Sequence, residues 1–450
     1  MAFRRWPDTF IALFLVLLVA GACRSAPANG GGAPAPAPGR EQPTIDATST
    51  PTDATVATPV ATTAVATTTP PASPTAVPSP QPTETRLPTP TAAPTPAPIA
   101  DVEPQVEIVA TGLEAPWEMV WAPDGRMIVT ERPGRVRVIV DGQLQPEPLA
   151  EIRVAAVGEG GLMGLALDPG FADNGFVYTM YTYQQGIGLA NRISRWVLRD
   201  GRLEDETTLL EGIPGARNHN GGRIAFGPDG KLYATTGDAG RGSTAQDLGA
   251  LSGKILRLNA DGSVPEDNPF EGSLVYSYGH RNPQGLAWHP GTGELLATEH
   301  GPSGEGGLCC RDEVNVIRPG ANYGWPVVTG RGDERFTDPL AYSGAGTTWA
   351  PAGAAFYQGT ALPVWQGNLL FGTLRGQHLH RLVLGGDDGL SLVEEEELFT
   401  GVYRRLRIVA MGPDGHLYIA TSNRDGRGRP AADDDRILRI VAAPSPQDGR

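Results

Sequence analysis

Pro228-Asp229-Gly230 followed by Leu232-Tyr233-Ala234-Thr235, and Pro413-Asp414-Gly415 followed by Leu417-Tyr418-Ile419-Ala420, are two copies of one unit: a glycine-containing turn, then a short strand. The unit returns at Pro123-Asp124-Gly125 before Met127-Ile128-Val129-Thr130, at Asp173-Asn174-Gly175 before Phe176-Val177-Tyr178, and at Thr292-Gly293 before Leu295-Leu296-Ala297-Thr298. A looser copy is Gly367-Asn368 before Leu369-Leu370-Phe371. Each turn is expected to join two antiparallel strands. Six copies predict an all-β fold, a six-bladed β-propeller of four-stranded antiparallel blades over about 101–442, in which radial repetition covers sheet faces and hides sheet edges. Alternation such as Arg135-Val136-Arg137-Val138 fits half-buried strands, and no long stretch sustains a helical period. A pair of β-sandwiches is the other fold the pattern allows.

The 450 residues overstate the folded part. Arg4 and Arg5 precede an apolar run from Phe10 to Ala20, a signal-peptide pattern (1–22) too short to span a bilayer stably. Ala20-Gly21-Ala22-Cys23 resembles a bacterial lipobox, which makes Cys23 the expected lipidation site; plain secretion and twin-arginine export are the alternatives. Residues 23–100 are Pro, Thr, Ala and Ser with scattered charges and no aromatic side chain, so they cannot bury enough apolar surface to offset ordering entropy. A disordered tether is expected there, and a short disordered tail at 443–450. The protein is thus expected outside the cytoplasm, on the outer face of the cell membrane through an N-terminal lipid.

With 50 acidic against 36 basic residues, the chain carries a formal net charge of −14 and no basic run, which argues against a nucleic-acid partner. If Cys23 carries lipid, only the adjacent Cys309 and Cys310 remain, so no long-range disulfide framework is possible. Histidine is scarce, seven in all. His219 lies just ahead of Gly221 and Gly222, at the start of a strand, where backbone can approach a flat ligand closely. An imidazole titrating near neutrality suits removal of a hydroxyl proton; a structural histidine is the alternative. There is no Gly-x-Ser-x-Gly elbow, no phosphate-binding loop, no dinucleotide fingerprint and no zinc pattern.

Asn218-His219-Asn220-Gly221-Gly222-Arg223, Gly237-Asp238 and Gly279-His280-Arg281-Asn282-Pro283-Gln284-Gly285 resemble the active-site strands of the glucose/sorbosone dehydrogenase family, the pyrroloquinoline quinone (PQQ) dependent aldose dehydrogenases. The resemblance covers nearly everything after about residue 101. It implies a six-bladed propeller, PQQ and Ca²⁺ as cofactors, an aldose oxidised at C1 to the lactone, and electrons passed to an external acceptor. It makes His219 the base. Asp238 would orient that imidazole or bind sugar, unless it merely closes its own turn.

PQQ carries three carboxylates, and arginine pairs with these bidentately. The resemblance points to Arg281, Asn282, Asn218, Arg405 and Arg407 as cofactor contacts, with Arg375 where relatives use lysine and Glu159 where some use glutamine. Ile408 replaces the family's usual aspartate after the second arginine of its pair. Glu299-His300-Gly301-Pro302, Arg311-Asp312-Glu313 and Asn322-Tyr323-Gly324-Trp325 resemble the family's calcium region. They imply the Gly301 and Pro302 carbonyls as ligands, with Asp312, Glu313 and Tyr323 for a structural ion; an ordinary loop salt bridge is the alternative. Ser303 to Cys310 is an insertion relative to the simplest family pattern. It carries Cys309-Cys310, either a vicinal disulfide or two free thiols, since Cα atoms about 3.8 Å apart are closer than disulfides prefer. Trp349 lines the sugar site or packs in the core, and Glu394–Glu397 reads as a solvated loop or strand edge. A non-catalytic carbohydrate- or protein-binding propeller and a calcium-dependent lactonase are the competing functions, which fold alone does not separate.

Overall fold

The computed structural model describes residues 102–444; the signal sequence, Cys23, the tether and the last six residues lie outside the described residues. Six antiparallel sheets follow one another along the chain. Their first strands are Pro116–Trp121, Leu162–Leu167, Ile224–Phe226, Pro283–Trp288, Pro351–Phe356 and Leu406–Met411, and residues of all six surround one central cavity of about 510 Å³. In the first sheet the outer position is split into two short pieces, Gln143–Leu144 and Ala150–Glu151, both paired to Arg135–Val140. The last sheet takes its outermost strand from the beginning of the domain: Pro104–Ala110 pairs antiparallel with Ile437–Ala442, Val106 opposite Ile440. This closes the ring of a six-bladed propeller.

Alternation explains why such short strands hold together. Successive side chains point to opposite sheet faces, so Ile128 and Val138 join a cluster with Leu162, Leu165 and Val177 of the second blade. Their neighbours Val129 and Ile139 join Ile408, Tyr418 and Ala420 of the sixth. Each of the six apolar clusters is built mainly from two neighbouring blades. Strands such as Leu232–Thr236 and Leu417–Thr421 are consequently buried at every position.

The repeated turn has a side-chain lock. Tyr233 Oη donates to Asp229 Oδ2 at 2.9 Å and Tyr418 Oη to Asp414 Oδ2 at 2.9 Å, while Gly230 and Gly415 take φ of +71° and +77°. Asp-Gly at the turn and Tyr three or four residues on are therefore one device. In the second blade the expected Asp173-Asn174-Gly175 turn is instead a short helix, Phe171–Asn174, and Tyr178 Oη donates to Asp168 at 2.8 Å. All these turns lie where the first strand of a blade passes to the second. The opposite ends of the same strands carry the candidate site.

Candidate active site

At that opposite end a cavity of about 700 Å³ is lined from several blades by His219, His300, Arg132, Arg281, Arg375, Arg405, Arg407, Arg427, Glu159 and Asp425, among others. Six guanidinium groups face two carboxylates here, in a chain whose net charge is −14. A second, more open space of about 1050 Å³ continues outward and shares His219, Glu159 and Arg427. It adds Asn218, Asp238, Glu305 and Trp325.

His219 is held from three sides. Its φ is +59°, its N–H donates to Glu159 Oε2 at 2.9 Å, and its carbonyl accepts Ala239 N–H at 3.1 Å. A Cβ on Gly237 would overlap that carbonyl, so the loop can pass only over glycine. The ring is fixed by Asp238, whose Oδ1 stands 2.7 Å from Nδ1 and whose Oδ2 accepts Trp325 Nε1–H at 2.8 Å. A carboxylate acceptor makes Nδ1 the protonated nitrogen. The lone pair of Nε2 is left available in the cavity.

Glu159 is nearly buried. Burial alone would raise its pKa, but the field of His300, the His219 N–H and the Arg427 guanidinium at 2.6 Å outweigh it and hold the carboxyl at about 2. His300 is itself lowered to about 4, chiefly by burial. At neutral pH the N–H and Arg427 therefore do the work. Arg427 also donates to Asn218 Oδ1 at 2.9 Å.

Arg281 lies over the Trp325 ring at 5.5 Å, donates to the His300 carbonyl at 3.2 Å and pairs with Glu305. Arg405 grips Asp425 Oδ2 with Nε and Nη2, at 2.9 and 2.6 Å. Arg407 is buried over Trp117, donates to Gln284 Oε1 at 3.0 Å, and has its pKa lowered by burial to about 10. With Arg223 and its partner Glu118 it forms a polar plug between this cavity and the one at the turn end. Arg375 is exposed at the rim and forms no ion pair among the described residues. Ile408 faces a blade interface, so an aspartate there would be buried without need; Asp425 serves Arg405 instead.

Arg132 Nε, Arg281 Nε and His300 Nε2 belong to cavity-lining residues, are buried and have no hydrogen-bond partner among the described residues. Unmet polar atoms of this kind are costly unless a ligand satisfies them. The donor set fits a planar polycarboxylate.

The region expected to hold calcium is assembled only in part. The Gly301 and Pro302 carbonyls accept no hydrogen bond among the described residues, and both residues line a void of about 10 Å³ with Glu299, Glu313 and Tyr323. Glu313 lies directly opposite Glu299 in register. Burial, then the like charge of Glu299, push the Glu313 pKa up to about 8. Asp312 is not part of this group. Its Oδ1 accepts Gly301 N–H at 2.8 Å, and Oδ2 accepts Thr348 Oγ1, Trp349 N–H and Ala350 N–H at 2.7–2.9 Å, so four donors occupy it. The Tyr323 hydroxyl is likewise committed, donating to Val316 O at 2.6 Å, which leaves only its carbonyl.

Residues 113–438 match the Glucose / Sorbosone dehydrogenase family. The chain belongs to that family. It is 34% identical over 349 residues to the aldose sugar dehydrogenase YliI of Escherichia coli, covering 71% of this chain and 91% of that protein. It is similar to the structure of a putative oxidoreductase (glucose dehydrogenase) from Thermus thermophilus, at 48% identity and TM-score 0.70, covering 75% of this chain and all of that one. The PQQ-bound aldose sugar dehydrogenase of Streptomyces coelicolor is 38% identical with TM-score 0.67, covering 76% and 100%.

Among the residues expected to serve a glucose/sorbosone dehydrogenase, Trp349 takes the second of its two expected places, in the core, and Asn282 does not line the cavity. The Trp349 ring is 3% exposed and packs on Phe371 and His380 in the interface between the fourth and fifth blades; Trp325 is the aromatic at the cavity. Asn282 supports the His219 loop, its Oδ1 accepting Gly221 N–H at 2.9 Å. Cys309 lines the cavity and is bonded to Cys310. Arg132, His300, Asp425 and Arg427 were missed, although they share a signal: each follows the second strand of its blade, as does Arg375.

Proposed function

We propose that this protein is a PQQ-dependent aldose dehydrogenase that oxidises a sugar at C1 to its lactone and passes the electrons to an external acceptor. The observation that carries this reading is a single cavity combining six guanidinium groups with an imidazole of fixed tautomer. PQQ, when bound, supplies the acceptor for the hydride leaving C1. Arg281, Arg405, Arg407, Arg132, Arg427 and Arg375 would hold its carboxylates, the first three from buried or half-buried positions. His219 Nε2 takes the proton of the anomeric hydroxyl as the C1–H bond breaks and the carbonyl forms. Asp238 holds Nδ1–H throughout and stabilises the imidazolium that results. Trp325 borders the space outside His219 and offers an aromatic face to a pyranose ring.

Ca²⁺ is part of the proposal. Two free carbonyls at Gly301 and Pro302 and the Glu299–Glu313 pair are the oxygen donors a hard cation takes. Cys23 would carry a lipid that keeps the enzyme on the outer face of the cell membrane; Cys23→Ser should release it from the membrane fraction, and an unchanged distribution would refute anchoring.

Dye-linked oxidation of aldoses by purified protein reconstituted with PQQ and Ca²⁺ tests the reading. Activity that requires PQQ and disappears in a folded His219→Ala variant is expected. Absence of PQQ binding in an absorbance titration would leave a propeller that only binds carbohydrate or protein.

A further inference from the structure

On the fifth blade, away from the cavity just described, Leu379–Gly385 pairs with Ser391–Leu398 so that His380 stands opposite Glu397, Arg381 opposite Glu396 and Leu382 opposite Glu395. Alternation sorts these side chains. Arg381 and Glu396 meet on one face in a two-bonded ion pair of 2.8 and 2.6 Å. His378, His380, Glu395 and Glu397 share the other. Both imidazoles are 2% exposed, yet His378 Nδ1 and His380 Nε2 have no hydrogen-bond partner among the described residues. One ligating atom from each of His378, His380 and Glu397 falls within 4.8 Å of the others.

We propose that His378, His380 and Glu397 bind a divalent transition-metal ion such as Zn²⁺, at a site separate from the PQQ and calcium sites. His378 Nε2 and His380 Nδ1 share a hydrogen bond of 3.0 Å; an ion would replace the shared proton, since the distance is close to the roughly 3.0–3.4 Å between two ligands that each lie about 2.0–2.1 Å from one metal. Glu395 Oε2, 3.3 Å from His380 Nε2, is placed to take the outward N–H of a ligating imidazole and so present Nδ1 to the metal. Two imidazoles and a carboxylate select zinc, copper or nickel over calcium. Glu397 is half exposed, which leaves the ion a route in. The ion would clamp the two outer strands of the blade, and His378 abuts Gly376, next to Arg375 at the cavity rim.

The test uses untagged full-length protein, stripped with chelator, refilled with PQQ and excess Ca²⁺, then titrated with Zn²⁺ and with Co²⁺. One equivalent of Zn²⁺ retained after dialysis is expected, with d–d absorption of Co²⁺ typical of low coordination and a higher thermal midpoint. His380→Gln and Glu397→Gln should lose the equivalent, and Glu395→Gln should weaken it by roughly 10–100-fold. Glu397 is partly exposed, so its variant folds even if the histidine variant does not. No Zn²⁺ retained by the wild type, or full retention in Glu397→Gln and His380→Gln, would overturn the site. Sugar oxidation is not the readout, so failure here leaves the proposed activity standing.

Discussion

His219 Nδ1 and Asp238 Oδ1 stand 2.7 Å apart, and the second oxygen of the same carboxylate is held by Trp325 Nε1–H at 2.8 Å. The carboxylate is therefore oriented before substrate arrives, and it fixes which imidazole nitrogen is basic. His219→Ala should lower kcat by about 10²–10⁴-fold with PQQ affinity little changed. Asp238→Asn can present an N–H where an acceptor is needed, which favours the wrong tautomer; a loss on the order of 10²-fold in kcat is expected. Steady-state kinetics beside a PQQ titration check both. An Asp238→Asn enzyme of wild-type kcat would remove the orienting role.

Arg405 reaches the cavity with its guanidinium already paired to Asp425. Arg405→Met removes a cation and leaves a nearly buried carboxylate beside the quinone site, so PQQ should bind on the order of 10–100-fold more weakly. Glu305 acts in the opposite sense. It pairs with Arg281 and lies 3.9 Å from His219 Nε2, so it competes with a ligand carboxylate for the same guanidinium. Glu305→Gln should tighten PQQ by roughly twofold to tenfold, a modest effect because the side chain is 42% exposed. Equilibrium titration of the two variants must move in opposite directions.

How far these features could be read from the chain depends on the range of the interaction that fixes them. The turns at Asp229 and Asp414 were legible because Tyr233 and Tyr418 lock them within one hairpin. The second copy was displaced for the same reason, since Tyr178 finds Asp168 rather than Asp173. His219, Asp238 and Arg281 carry local motifs. Arg132 and Arg427 carry none, and only the ring of blades brings them to Glu159 and Asp425. Trp349, just ahead of the strand Pro351–Phe356, suited a ligand platform or the core equally from the chain alone, and contacts with Phe371 and His380 of the fifth blade settle it in a blade interface. The resemblance made Asp312 a metal ligand together with Glu313, but the Thr348 hydroxyl and the Trp349 and Ala350 N–H groups claim its Oδ2.

Acid should expose the role of Glu159. Its pKa is about 2 in the folded protein, against an ordinary value of 4.5. A lowered pKa means that the stabilisation is fully present above 4.5 and is lost as pH falls toward 2. The shift caps the contribution at roughly 3 kcal/mol at neutral pH. Glu159→Gln keeps an acceptor for His219 N–H but loses the Arg427 charge, so it should cost about 1–2 kcal/mol at pH 7. That difference should shrink steadily in urea titrations between pH 4.5 and 2.5. A gap independent of pH would show that Glu159 acts by shape alone.

Lys254 is tied to His219 by an unbroken chain of contacts. Its ammonium is completely buried and donates to the carbonyls of Thr244, Ala245 and Ser252 at 2.9, 3.0 and 2.7 Å, which pins the turn Gly242–Gln246. Gln246 Nε2 then donates to the Trp325 carbonyl at 2.7 Å, and the Trp325 indole holds Asp238. Lys254→Met keeps the packing volume but leaves the Ser252 carbonyl without a donor and the Thr244 and Ala245 carbonyls with only the backbone donors Asp247 N–H and Gly279 N–H, at a cost of about 1–3 kcal/mol. Loosening Trp325 frees Asp238 to rotate, so kcat should fall several-fold while PQQ affinity, set by arginines on other loops, stays constant. Urea unfolding and kinetics on the same preparation test the coupling. If Lys254→Met lost stability but kept its full kcat, the turn would be a support for the blade and nothing more.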